Sequence, residues 1–120
     1  MQKRQFKTLK IWEKGHQLTL SIYKITSKFP QLEIYAIVSQ LRRAVSSIPA
    51  NIAEGCVKSN LVFLNHLSIA QGSLEEVKYF VLLARDLGYV SQSEFEELSE
   101  ECEELGKMIY SFMVKLRADS

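Results

Sequence analysis

The chain has 120 residues, 47% of them hydrophobic and 24% charged, a composition typical of one globular domain with its own core. Its longest apolar run, residues 79–84, is too short to span a membrane. No apolar block follows the basic residues near the N-terminus, so we expect no secretory signal. Cys56 and Cys102, without a CxxC pair, predict a reduced, cytoplasmic protein.

The formal net charge of +1 conceals a strong asymmetry between the two halves of the chain. Residues 1–60 contain ten Lys or Arg and three acids, whereas residues 61–120 contain five bases and eleven acids. The halves therefore carry +7 and −6. Such a division predicts either a surface that faces a polyanion or a complementary contact between copies of the chain.

The first half of the chain has apolar residues at the three-to-four spacing of amphipathic helices. The first stripe comprises Ile11, Gly15, Leu18, Ile22, Ile25 and Phe29, and the second comprises Ile34, Val38, Leu41, Val45, Ile48 and Ile52. Pro30 ends the first stripe, because the residue before a proline disfavours helix, and Gly55 closes the second. The stripes predict helices over about 9–29 and 33–55.

The second stripe continues through Pro49, where a helix would ordinarily stop. A proline in a helix interior removes one backbone hydrogen bond and costs about 3 kcal/mol. We therefore predict a kink at Pro49, with Ser46 and Ser47 bonding to carbonyl groups that the proline leaves unpaired. Small and polar residues beside the stripe predict a seam where another helix approaches closely; they are Gln40, Ala44, Ser47, Asn51 and Gly55.

The second half predicts two longer helices, over about 60–87 and 92–117. Their stripes are Phe63, Leu67, Ala70, Leu74, Val77, Val81 and Ala84, then Phe95, Leu98, Cys102, Leu105, Ile109, Phe112 and Leu116. Asn60 or Ser59 is expected to cap the third helix, and Gly88 to end it. Ser91 and Glu94 match a capping box that begins the fourth helix.

Four amphipathic helices with short connections predict an all-α fold, an antiparallel up-down-up-down four-helix bundle formed as a single domain by residues 1–120. The third helix has a second apolar edge formed by Ile69, Phe80, Leu83 and Leu87, with Trp12, Tyr23 and Tyr79 available nearby. One bundle does not need so wide an apolar surface. We therefore expect self-association, the alternative being a wide core.

Residues 42–55, which include Ile-Pro-Ala-Asn-Ile-Ala-Glu-Gly, resemble the four-helix-bundle family of bacterial 23S rRNA intervening-sequence proteins. The resemblance continues in residues 9–12, 63–64, 67–76, 82, 84–85 and 87–89. A more distant resemblance connects the chain to the accessory variability determinant of diversity-generating retroelements. Together these likenesses cover nearly the whole chain.

The resemblance implies an antiparallel bundle that assembles into a five-fold ring, a homopentamer. Through the accessory relatives it also implies basic faces that bind RNA or DNA and a reverse transcriptase. It implies a fold more directly than an activity. The chain departs from the family after Gly55, where an aromatic residue, a glycine and basic residues are usual. Here residues 56–60 are Cys-Val-Lys-Ser-Asn, with a single base.

Glu13 and His16 have the Glu-x-x-His spacing of di-iron bundles, but such a centre needs a second copy of the pair. Phe63 stands three residues before His66, and Glu13 lies off the first stripe. We therefore expect no metal and no cofactor. The sequence also lacks a nucleophile pattern, a phosphate-binding loop and a nucleotide fingerprint, so we expect no enzymatic activity.

Basic residues of the first half are the candidates for contact with phosphate groups. They are Lys3, Arg4, Lys7, Lys10, Lys14, Arg42, Arg43 and Lys58. Because Arg42 and Arg43 adjoin the second stripe, at least one of them should point away from the core. The alternatives are a solvated face, or arginines paired with acids of a neighbouring helix.

Seven glutamates crowd the first turns of the fourth helix, more than the helix dipole needs. They are Glu94, Glu96, Glu97, Glu100, Glu101, Glu103 and Glu104. A solvated face is the simpler interpretation. The other is a docking face for a basic partner, including the basic half of a neighbouring subunit.

Six residues are assigned a structural role: Pro49, Asn51, Glu54, Gly55, Gly72 and Ser73. A glycine within a helix makes the helix less stable than an alanine does, by about 1 kcal/mol. We expect Gly72 to offset this cost by letting the second and third helices touch. A buried Asn51 or Glu54 would then need hydrogen-bond partners such as Ser73.

The leading hypothesis is a non-enzymatic, homo-oligomeric bundle of the intervening-sequence type that acts as a nucleic-acid-associated accessory or scaffold. The alternative is a protein-interaction module that uses the acidic fourth helix and has no role with nucleic acid.

Overall fold

The computed structural model describes residues 4–119, and the helices of this range form an elongated bundle of 49 × 23 × 20 Å. The four α-helices are α1 (Lys10–Thr26), α2 (Ile37–Gly55), α3 (Asn60–Asp86) and α4 (Gln92–Ala118). Short 3-10 turns at Phe6–Thr8 and Gln31–Glu33 precede α1 and α2. No strand occurs within these residues, so the described chain is all-α.

Each helix runs antiparallel to the next. Side-chain bonds join Arg42 near the start of α2 to Thr26 at the end of α1, and Asn51 near the end of α2 to His66 near the start of α3. The contact between α2 and α3 is the most extensive, and that between α1 and α4 is the least extensive of the adjacent pairs. The order around the bundle is therefore α1, α2, α3, α4, as the up-down-up-down prediction requires.

The predicted stripes form the core. All seven residues of the third stripe are buried, and in the fourth only Phe95 and Phe112 keep partial exposure. Ile22, Val45, Ile48 and Ile52 have no measurable exposure. The three-to-four spacing therefore identified the face that each helix buries.

The turn between α1 and α2 is longer than the sequence predicted. Helix α1 ends at Thr26, not near residue 29, and α2 begins at Ile37, not near residue 33. The hydroxyl of Thr26 donates to the Ile22 carbonyl at 2.7 Å, and Pro30 excludes helix from the residue before it. Ile34 therefore lies outside α2 with 40% of its surface exposed, although Phe29 remains buried.

Pro49 lies inside α2, and the helix continues for six further residues to Gly55. A proline cannot donate to the carbonyl four residues earlier, which here belongs to Val45. The hydroxyl of Thr19 on α1 lies 3.2 Å from that oxygen and donates to it. The expected serines do not reach it: Ser46 bonds to Arg42 and Arg43, and Ser47 to other side chains. The repair comes from the neighbouring helix because Thr19 is buried at the α1–α2 contact.

The seam beside the second stripe is where α3 packs, with Gly55 at its closest point. A Cβ atom on Gly55 would lie 2.7 Å from the Cβ of His66 and 2.9 Å from Cδ1 of Phe63. Gly72, by contrast, is exposed and would have no atom within 4 Å of an added Cβ. The expectation that Gly72 brings α2 and α3 together was therefore wrong, because Gly72 lies off the stripe that faces α2.

The ends of α3 and α4 carry the predicted caps. Ser59 is the N-cap of α3, its hydroxyl accepting from the Val62 amide, whereas Asn60 is the first helical residue. Gly88 has a φ of 79°, and the amides of Gly88 and Tyr89 donate to the carbonyls of Arg85 and Ala84. Ser91 and Glu94 form the reciprocal capping box. Within residues 4–119, no helix has the length and hydropathy needed to cross a membrane.

Candidate nucleic-acid interface

Arg4 fastens the segment before α1 to the turn between α2 and α3. Its guanidinium donates to the Asn60 side chain at 2.7 Å and to the Cys56 carbonyl at 3.3 Å. It also lies 5.3 Å from the ring centroid of Phe63. These contacts hold the charged group against the protein, so Arg4 has a structural role at this end of the bundle. Lys3, the candidate beside it, lies outside the described residues.

Arg42 and Arg43 differ in their surroundings. The guanidinium of Arg42 stacks 4.5 Å from the ring centroid of Tyr23 and donates to the Thr26 hydroxyl at 2.9 Å. A further bond of 3.2 Å reaches the Tyr23 carbonyl, so Arg42 joins α2 to α1 through a ring, a hydroxyl and a carbonyl group. Arg43 is exposed and is therefore the arginine of this pair that faces solvent.

The candidate lysines of the first half do not form one surface. Lys14 pairs with Glu104 of α4 at 3.1 Å. Lys7, Lys10 and Lys58 are exposed at the end of the bundle where α1 begins and α2 ends. Arg43 lies twelve residues before the end of α2, which is roughly 18 Å away along that helix. The structure thus separates Arg43 from the three exposed lysines.

Sequence reasoning missed two lysines of α4 that complete a basic site. Lys107 and Lys115 line a groove of about 470 Å³ together with Lys10 of α1. The other lining residues are Thr8, Leu9, Ile11, Met108, Ser111 and Phe112. Lys107, Ser111 and Lys115 are spaced four residues apart, which places them on one side of a helix. That spacing could have indicated the basic side of α4 from the sequence. It was overlooked because the net charge of the second half of the chain is negative.

The predicted acidic belt divides between two sides of α4. Glu94, Glu97, Glu100, Glu101 and Glu104 line a second groove, of about 540 Å³, against Lys24 of α1 and Lys28 of the turn that follows α1. On the other side, Glu103 bonds to Lys78 of α3 at 3.0 Å. Desolvation in this groove, followed by the nearby Glu97 carboxylate, raises the pKa of Glu101, an exposed residue, above its ordinary value. The glutamates outnumber the lysines that line this groove.

The profile of the family described as "23S rRNA-intervening sequence protein" matches residues 7–111, most of the chain. The chain belongs to this family. A solved structure from the S23 ribosomal protein family of Bacteroides thetaiotaomicron, a protein of unknown function, has the same fold. Its TM-score is 0.76 at 24% identity over 86% of this chain and 97% of that chain. No curated protein sequence matches the chain.

In this intervening-sequence family member, the segment that carried the resemblance builds the α2–α3 contact. Asn51 donates to the carbonyl and hydroxyl of Ser47 at 2.8 and 3.0 Å, and its side-chain oxygen lies 3.0 Å from Nδ1 of His66. Ser73 donates to the Ser47 hydroxyl at 2.9 Å. Glu54 is exposed and takes no part in this network. Asn51 and Ser73 therefore share Ser47 as a partner, and His66 is the member that the sequence did not indicate.

His16 and the two cysteines of this family member have packing roles. His16 is exposed and stacks on Trp12 with ring centroids 4.9 Å apart. Burial raises the pKa of Cys102 to about 12, and burial also raises the pKa of Cys56 against the opposing charge of Arg4. Both thiols are therefore protonated at neutral pH. Among residues 4–119, no three His, Cys, Asp or Glu side chains are grouped to hold a metal ion.

Proposed function

We propose that this chain is a non-enzymatic, homo-oligomeric accessory or scaffold protein that associates with nucleic acid. The observation that carries the proposal is a set of exposed basic residues that form no ion pair within the part of the chain that the structure describes. They are Lys7, Lys10, Arg43, Lys58, Lys107 and Lys115; Lys24 and Lys28 also meet this description, but they line the groove that holds five glutamates. Cations of this kind displace condensed counterions when they meet phosphate groups. The family description, which refers to 23S rRNA, supports the same ligand class.

Self-association is supported by apolar side chains on the outside of α3. Ile69 and Leu87 have 53% and 50% of their surfaces exposed, and Phe80 and Leu83 between them are half-buried. Tyr79 on the same helix is also exposed. Burial of such an edge against another copy removes apolar surface from water. The proposed assembly is a ring, a homopentamer, as the family resemblance implies; a reverse transcriptase is the further partner that the resemblance implies.

Light scattering coupled to size-exclusion chromatography tests the assembly. We expect a mass near five times that of the 13.8 kDa chain. Ile69→Ser combined with Leu87→Ser should lower that mass if the apolar edge forms the contact. Salt screens exposed charge pairs but does not weaken apolar contacts. A ring held by apolar contacts should therefore keep its mass as salt is added. A single-chain mass in every buffer would contradict the proposed oligomer.

Binding to nucleic acid is tested by titration with structured RNA and duplex DNA at several salt concentrations. The logarithm of affinity should fall linearly with the logarithm of salt concentration. Glutamine substitutions at three exposed glutamates of α4 should leave binding unchanged or strengthen it. Absence of binding to either nucleic acid at low salt would contradict the proposed role.

One observation favours a second candidate, a protein-interaction module that uses the acidic groove of α4. Its five glutamates face only two lysines, Lys24 and Lys28, in the lining of that groove. If nucleic acid does not bind, a basic protein partner at this groove becomes the better hypothesis. The α4 glutamine variant would then lose partner binding.

A further inference from the structure

The groove formed by Lys10, Lys107 and Lys115 has an unusual combination of charge and apolar surface, and we call it the lysine groove. It lies where the start of α1 meets the second half of α4. All three lysines are exposed, and no acidic side chain among the described residues 4–119 lines the groove. The local charge is therefore positive, although the whole chain is close to neutral.

The floor of the lysine groove is apolar and includes one aromatic ring. Ile11 is buried there, and Leu9, Met108 and Phe112 are partly exposed. The Phe112 ring packs edge-on against Phe63 at a centroid distance of 5.4 Å, which fixes its position. The groove thus presents a held aromatic surface between cations.

Phosphate groups beside the flat π faces of bases match this arrangement. Proteins that bind single strands combine cations along the backbone with side chains on which bases lie. A duplex conceals its base faces inside the stack, so only an unpaired strand can use the floor. The groove volume of about 470 Å³ suits roughly one or two nucleotides.

We propose that the lysine groove binds a short stretch of single-stranded nucleic acid, with its phosphates at Lys10, Lys107 and Lys115 and a base against Phe112. This inference rests on the proposed association with nucleic acid and specifies which surface and which form of the ligand are involved. It places the site at the end of the bundle opposite to Arg42 and Arg43, which are two of the predicted candidates.

The acidic belt of a second copy matches the lysine groove less well. Its glutamates supply negative charge, but the apolar side chains beside them are not available to fill the floor. Leu98 is buried, and the guanidinium of Arg85 covers Phe95 at 4.3 Å from the ring centroid. Lys14 also pairs with Glu104 within the chain. A nucleotide supplies both the anion and the flat surface.

The test compares two variants that remove the same charge from the α1–α4 face. Lys107→Gln with Lys115→Gln changes the lysine groove, and Lys24→Gln with Lys28→Gln is the matched control at the acidic groove. Binding of a fluorescent single-stranded RNA, the same DNA sequence and the corresponding duplex is measured against salt. We expect at least about a tenfold loss of single-strand affinity for the groove variant, and a salt slope smaller by about 1.4. The control should change affinity by less than about twofold.

A third variant tests the floor without changing the charge. Phe112→Leu should lower single-strand affinity several-fold and leave the salt slope unchanged, because stacking on an aromatic ring does not release counterions. Thermal melting of each variant shows whether it remains folded. Phe95→Leu, the same substitution at the other end of α4 and outside the lysine groove, is the matched control and should bind normally.

The outcomes separate the inference from the function on which it rests. If the native chain binds no nucleic acid at low salt, the proposed function fails. If it binds, but Arg43→Gln with Lys58→Gln abolishes binding while the groove variant does not, the function stands and the lysine groove is excluded. Equal affinity for duplex and single strand would also overturn the inference. A lower oligomer mass of the groove variant with unchanged oligonucleotide binding would assign the groove to the glutamates of a second copy.

Discussion

At the scale of single residues, Thr19 repairs the hydrogen bond that Pro49 removes from α2. The Val45 carbonyl lies in the core, and Thr19 is itself only 9% exposed. A buried carbonyl left without a donor costs about 1–3 kcal/mol. The proline is therefore tolerated because a side chain on another helix supplies the missing donor. The Thr19 hydroxyl also bonds to the Gly15 carbonyl of its own helix, α1, at 2.8 Å.

A double-mutant cycle tests this repair. Thr19→Val should destabilise the native chain by about 1–3 kcal/mol, because the Val45 carbonyl loses its donor. With Pro49→Ala already present, the restored amide of residue 49 can bond to Val45, and Thr19→Val should cost much less. Urea denaturation of the four proteins gives the coupling free energy. Equal costs in both backgrounds would show that Thr19 stabilises only by packing.

At the scale of helices, the contact between α2 and α3 depends on the absence of a side chain at Gly55. Gly55→Ala should destabilise the protein by about 1–3 kcal/mol, because the new methyl group would overlap His66 and Phe63. Gly72→Ala is the matched control within α3 and should stabilise by about 1 kcal/mol, since alanine favours helix and the site is open. Thermal melting should therefore move in opposite directions for the two substitutions. A stabilising Gly55→Ala would disprove the close approach.

The two glycines also show how far the sequence predicts helix packing. Periodicity identified the buried face of every helix, because burial must follow the helical repeat. It did not identify which glycine faces a neighbour, since that depends on how the helices are rotated against each other. The turn of residues 27–36 was missed for a related reason: Ile34 has the apolar spacing of the second stripe, but the helical backbone of α2 begins only at Ile37.

At the scale of the whole molecule, the fold brings together lysines that lie far apart in the sequence. The sequence predicted a basic half and an acidic half, and this division follows the chain but not the surface. Antiparallel packing places the start of α1 beside the end of α4, so Lys10 meets Lys107 and Lys115. Counting charges by halves therefore predicted the asymmetry and missed the lysine groove. Three of the predicted candidates, Arg4, Lys14 and Arg42, bind other parts of the protein.

The acidic groove has a predictable effect on stability. The raised pKa of Glu101 means that the folded chain binds its proton more tightly than the unfolded chain does. Stability should therefore fall as pH rises from the ordinary value of 4.5 through the folded-state pKa. Glu101→Gln should raise the melting temperature at pH 7, and its advantage should disappear as pH falls below about 4.

Glu100→Gln provides the comparison, because it removes the same charge from a neighbouring exposed position of α4. Its effect at pH 7 should be smaller than that of Glu101→Gln. Melting curves of both variants and the native chain across this pH range are sufficient. A destabilising Glu101→Gln at pH 7 would show that the attraction to Lys14 outweighs burial and repulsion.

The unequal contacts around the bundle determine where its backbone opens first. Helices α2 and α3 share the most extensive contact, whereas α1 and α4 meet along a line bordered by two grooves. Native proteins open locally where few packed groups must separate. Amide protons in the middle of α2 and α3 should therefore exchange with solvent most slowly, and those of α1 and α4 sooner. The α2–α3 hairpin is then the cooperative unit on which the other two helices depend.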